Sequence, residues 1–236
     1  MIQIASESAA PRRKRSQRAE RLRTVILRSA AKCFSDYGFE GASTRMIADQ
    51  SGITHSLVLY HFESKEMLWR AAVEEVIAEY TSHLREILRQ EDKPAVDVLR
   101  AWVEEFVKTS AKAPQIYRIL TSQSTQESKR MNWLVDHYLR QNFESVCNLI
   151  RRGQLEGSVR DGDPARIYYL TLGAAGTPFM VFREYELLTG RDITSAAEIH
   201  HLIALIFEVM FHRTDKPAPK QGSRNRAERT QRSPQA

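Results

Sequence analysis

Apolar residues recur along most of the chain at spacings of three and four, and no stretch alternates polar and apolar as a half-buried strand would. The first stripe is Ile26, Ala30, Phe34 and Tyr37, which predicts a helix from Ala19 to Tyr37, with Gly38-Phe39 as its stop. Two unusually short periodic segments follow. Thr44 can cap a helix over Arg45 to Ser51, Gly52 can take a left-handed turn, and Thr54 can cap a third helix over His55 to His61. Ser64 can cap a fourth helix reaching Leu88, with Glu66 in its first turn where the helix dipole favours an acid. Further helices are predicted over 95–112, 114–124, 128–156, 163–189 and 194–212.

The expected fold class is therefore all-α. Two short helices bury little by themselves, and held by a first helix around a Gly turn they read as a helix-turn-helix. In such a unit the second short helix enters the DNA major groove. Val58 and Phe62, with Ile47, Ala48 and Ile53, form the expected inner side, and His55, Ser56, Leu57 and Tyr60 the outer one. The last two long helices are apolar nearly all round: Ile167, Leu170, Leu172 and Ala175 in one, Leu202, Leu205, Ile206 and Val209 in the other. That excess over one core face points to a homodimer through helices 163–189 and 194–212. Gly173, Gly176 and Pro178 predict a kink, making room either for a ligand or for a close helix crossing.

Charge sharpens this picture. Residues 1–32 hold nine Lys and Arg against two acids, a net +7, and residues 213–236 hold seven against two, a net +5. The body between them carries 19 basic and 25 acidic residues, a net −6. A basic N-terminal arm running into the short helices suits a polyanion partner, whereas the Pro-, Gln- and Arg-rich tail reads as disordered. Cys33 and Cys147 lie far apart in no C-x-x-C pattern, which fits a reducing cytoplasm. No apolar run of about 18 residues predicts a membrane span. Phosphate-loop, dinucleotide, nucleophile-elbow and H-E-x-x-H motifs are absent, so no enzyme, cofactor or metal is expected. Glu198, His200 and His201 are close in sequence, but adjacent histidines point to different faces of a helix.

The string ILRSAAKCFSDYGFEGASTRMIADQSGITHSLVLYHFESKEML resembles the N-terminal domain of the TetR family of bacterial transcriptional regulators. The carrying residues are Ile26-Leu27, Ala30-Ala31, Phe34, Gly38, Thr44, Ile47-Ala48, Gly52, His61-Phe62 and Ser64-Lys65-Glu66. The resemblance implies a three-helix DNA-binding domain followed by a helical bundle that binds a ligand and dimerises. It implies phosphate contacts from Thr44 and Lys65, and base or nearby contacts from Arg45, Thr54, His55, Ser56, Leu57, Tyr60 and His61. One departure is that Leu59 stands where many members carry a phosphate-contacting tyrosine; a RutR-like subgroup has the same Leu-Tyr order.

The resemblance further implies an unidentified small-molecule effector. Trp102, Tyr117 and Trp133 are candidate aromatic walls for it, and Gln123, His137 and Thr177 candidate polar anchors. The expected layout is a basic disordered arm (1–18), a helix-turn-helix domain (19–66), a ligand-binding and dimerisation domain (67–212) and a basic tail (213–236). The expected function is a cytoplasmic repressor that binds a palindromic double-stranded operator and is released by its effector. An activator, a ligand-free DNA-bound scaffold or an enzyme with an unrecognised site are the alternatives.

Overall fold

A computed structural model describes residues 9–124 and 128–212, and the segments 1–8 and 213–236, expected as parts of the arm and tail, lie outside them. The described residues form helices α1 (Ala9–Gly41), α2 (Thr44–Ser51), α3 (His55–Phe62), α4 (Lys65–Leu88), α5 (Ala95–Lys112), α6 (Pro114–Ser124), α7 (Lys129–Leu134), α8 (Arg140–Leu155), α9 (Pro164–Met180), α10 (Phe182–Thr189) and α11 (Ala196–Met210). Helix α1 begins at Ala9, so the second half of the expected disordered arm is helical. Gly38, at φ 67° and ψ 178°, interrupts its last turns.

Two hydrophobic cores organise the chain. The N-terminal one joins Ile26, Leu27, Ala30 and Phe34 of α1 to Ile47 and Ala48 of α2, Val58 and Phe62 of α3 and Leu68 and Trp69 of α4. Tyr37, expected on that stripe, is 57% exposed, because the turn at Gly38 carries the chain away from the core. The second core packs α5, α8, α9 and α11 around Leu99, Trp102, Val103, Ile150, Phe179 and Ile206.

No clean boundary separates them. Ile119 of α6 and Leu134 of α7 belong to the N-terminal core, while Leu84 of α4 belongs to the bundle. Helix α4, about 36 Å long at 1.5 Å per residue, is thus shared by both. Two expected single helices are broken. The 128–156 stretch contains a π-helical turn at Val135–Leu139, and 163–189 is interrupted at Val181 (φ −106°, ψ 31°) just after Pro178, which cannot donate the usual backbone bond.

Candidate functional site

The helix-turn-helix is assembled by local caps. Ser43, not Thr44, caps α2: its hydroxyl accepts from Met46 N at 3.1 Å, and Thr44 becomes the first helical residue. Gly52 adopts φ 67°, ψ 28°, and the next amide, Ile53 N, returns to Ala48 O at 3.0 Å. Thr54 precedes α3 without a side-chain cap bond, and Ser64 caps α4 by accepting from Met67 N. Ile47, Ala48, Val58 and Phe62 are buried, so α3 is held by one stripe only.

Freed from capping, Thr44 Oγ1 lies 2.9 Å from His55 Nε2, tying the first residue of α2 to the first of α3. A hydroxyl has a single proton. Thr44 can therefore donate to a phosphate only while His55 Nε2–H donates to Thr44. Arg45 and Ser56 are exposed, and Tyr60 is 81% exposed. Leu57 and His61 are half-buried, the latter with its ring edge-on to Tyr60. Lys65 is half-buried: Nζ donates to Glu40 O at 3.3 Å and sits 4.5 Å from the centre of the Phe39 ring.

Sequence reading missed Arg130, at the start of α7. Its Nε donates to Gln123 Oε1 (3.1 Å), and its two terminal nitrogens to Glu66 (3.2 Å) and Glu40 (3.2 Å). The guanidinium lies 3.6 Å from the centre of the Phe39 ring. One turn on, Trp133 packs edge-on against Trp69, beneath Arg70. No local signal announces this bridge, because Glu66 and Glu40 are 64 and 90 residues away.

A cavity of about 530 Å³ opens among α4, α5, α6, α8, α9 and the π turn. Of the six residues proposed to bind an effector, Tyr117 and His137 line it. Trp102 lies in the adjoining core, stacked on Phe106 at 5.4 Å and near Tyr168 at 6.2 Å, and its buried indole N–H has no acceptor among the described residues. Gln123 is engaged by Arg130, Trp133 packs against α4, and Thr177 is exposed; none of these three lines the cavity. Gly176 makes room neither for a ligand nor for another copy: a Cβ there would lie 2.6 Å from Tyr117 Cε2, so the space belongs to the Tyr117 ring. Glu198 accepts from the Tyr185 hydroxyl at 2.7 Å, and no cluster of three or more His, Cys, Asp or Glu able to hold a metal occurs among the described residues.

The family pattern described as bacterial regulatory proteins, tetR family, matches residues 26–72, the segment from the core stripe of α1 into α4. The match supports the assignment of this chain to the TetR family. The HTH-type transcriptional regulator RutR of Escherichia coli K12 is 27% identical over 106 residues; that match covers 45% of this chain and about half (49%) of RutR. The transcriptional repressor AcnR of Corynebacterium efficiens is 25% identical over 181 residues, covering 77% of this chain and 89% of AcnR. Among solved structures, AibR in complex with isovaleryl coenzyme A and operator DNA superposes with a TM-score of 0.67 at 17% identity, over 80% of this chain and 98% of AibR, which establishes a shared fold. No described helix is long and apolar enough to cross a membrane.

Proposed function

We propose that this TetR-family protein is a cytoplasmic transcriptional repressor that binds a palindromic operator as a homodimer and is released by a small-molecule effector held in the 530 Å³ cavity. The observation that carries this reading is the sharing of α4: its first turns pack under the recognition helix through Leu68 and Trp69, and its last turns wall the cavity through Leu84 and Leu88. A ligand that favours one placement of α4 necessarily favours one placement of α3.

Thr44, His55 and Lys65 hold phosphates and set register, while Arg45, Ser56, Leu57 and Tyr60 face base edges, with Thr54 and His61 flanking them. A second copy meets the first along α9 and α11, and the two recognition helices reach major grooves about 34 Å apart. Release follows when the effector binds the DNA-incompetent spacing more tightly, and it is limited by that difference in affinity. That AibR was solved with both an acyl-coenzyme A and operator DNA supports a ligand-gated operator binder.

Selection of bound genomic fragments by purified protein at two salt concentrations tests the reading, with Arg45→Ala run beside the parent. A palindrome is expected, with Arg45→Ala relaxing one position per half-site by about 1–3 kcal/mol. Binding with no sequence preference that vanishes at moderate salt would reduce the interface to charge alone.

A further inference from the structure

The cavity has distinct chemistry at its two ends. Its walls are Leu84, Leu88, Phe106, Ile116 and Leu172, a surface suited to an alkyl or acyl chain. At the buried end, Asn142 Nδ2 donates to Tyr168 Oη at 3.2 Å. The Tyr168 hydroxyl proton has no acceptor among the described residues, and burial holds that proton firmly, pushing the group's pKa up to about 12. Three of the other wall hydroxyls are committed: Thr81 donates to Ile77 O, Ser110 to Phe106 O and Thr109 to Glu105.

At the open end, Arg85 in the last turn of α4 and Arg89 just past its end stand about one turn apart and line the cavity. Both are exposed, and neither forms an ion pair among the described residues. Glu91 is the single carboxylate lining the same cavity, so the mouth carries net positive charge. A cationic ligand would meet two guanidiniums there. A neutral one would leave both without a partner.

We infer that the effector is an anion-headed amphiphile, with its chain among Leu84, Leu88, Phe106 and Leu172 and its anionic head on Arg85 and Arg89, an acceptor oxygen where the chain carries one lying against the Tyr168 hydroxyl. This rests on the proposal that the cavity is the effector site, and it adds the ligand's chemical class. Two sources share that chemistry, a free carboxylate and an acyl chain on a phosphate-bearing carrier.

The experiment is a thermal-shift titration of the full-length protein, without DNA, by four ten-carbon probes: decanoate, decanoyl-coenzyme A, 1-decanol and decyltrimethylammonium. Decanoate or decanoyl-coenzyme A is expected to stabilise at lower concentration than the alcohol and the cation, and whichever acts lower identifies the source. In the double variant Arg85→Gln/Arg89→Gln, the half-saturating concentration of that anion should rise about tenfold or more, with that of decanol unmoved. Both arginines are exposed, so the unliganded melting temperature of the variant should match the parent. Equal or stronger stabilisation by decanol or the cation, or an anion response indifferent to the double substitution, overturns the anionic class while leaving a ligand cavity in place. No response to any probe overturns both the class and the cavity's role. A failure to select an operator removes the repressor reading without touching these melting data.

Discussion

At the residue scale, Gly176 controls how much of the cavity is open. Its missing Cβ seats the Tyr117 ring against α9, and the same ring lines the cavity. Alanine gains about 1 kcal/mol of helix propensity. Its Cβ, at 2.6 Å from Tyr117 Cε2, forces the ring to move, and overpacking of this kind costs about 1–3 kcal/mol. The clash outweighs the gain. Gly176→Ala should lower the melting temperature slightly and weaken effector binding as the ring swings into the cavity, a pairing that calorimetry of binding and unfolding would check. A second consequence concerns protons. Burial raises the pKa of the thiols of Cys33 and Cys147 and of the Tyr168 phenol. Each keeps its proton in the folded state at a pH where the unfolded chain has lost it, so the stability it contributes is full below the unfolded value and falls as pH rises through the folded one. Urea midpoints should decline from about pH 9 upward, and a level profile to pH ~11 would show that these groups ionise as freely folded as unfolded. What the sequence revealed at this scale was local. Gly52 and Ser64 were legible because turn and cap chemistry acts within a few residues. Cap placement slipped from Ser43 to Thr44 because adjacent hydroxyls suit the same role, and aromatics such as Trp133 and Trp102 carry no local mark separating a cavity wall from a core.

At the element scale, α7 and the π turn after it join the cavity to the DNA-binding domain by a second route besides α4. His137, Tyr138 and Leu139 wall the cavity from the π turn, and His137 Nδ1 donates to Trp133 O at 2.9 Å. Trp133 packs against Trp69, and Arg130 grips Glu40, Glu66 and the Phe39 ring. A ligand that displaces the π turn displaces this grip. Arg130→Ala should cost about 1–3 kcal/mol of stability, between an exposed and a buried ion pair. It should also shrink the ratio of operator affinities measured without and with effector. Lysine should restore little of that ratio, since a single ammonium lacks the planar fork that reaches three partners. An unchanged ratio in both variants, read by fluorescence anisotropy on labelled operator, would remove α7 from the coupling. The helices themselves were legible from apolar periodicity. The π turn was not, because one extra residue per turn leaves the 129–155 stripe almost intact, and the Arg130 bridge was not, because its partners are distant in sequence.

At the scale of the whole molecule, the second core leaves open an apolar surface that suits the proposed contact with another copy. Tyr169 (66% exposed) and Leu170 (58%) on α9 stand out in solvent beside Leu205 (57%) and Val209 (48%) on α11, and these two helices pack against each other. Between them on α9, Gly173 would place a Cβ against nothing within 4 Å, so its small size serves no contact inside this chain and allows another helix to come close. Apolar surface of this kind, worth about 25 cal/mol per Å² when covered, is what a four-helix interface between two copies would bury. Leu205→Glu/Val209→Lys introduces charges at exposed positions of one helix face, so the subunit fold should survive while association is lost. Sedimentation velocity should then show a dimer for the parent and a monomer for the variant at equal concentration, with matching circular dichroism. The variant should also lose most of its operator affinity but keep weak, salt-sensitive binding to any DNA, since each remaining subunit retains the proposed phosphate contacts but engages a single half-site. A variant that sediments as a dimer would move the interface away from α9 and α11. A monomeric parent that still recognises a palindrome would mean that the operator itself brings the two copies together.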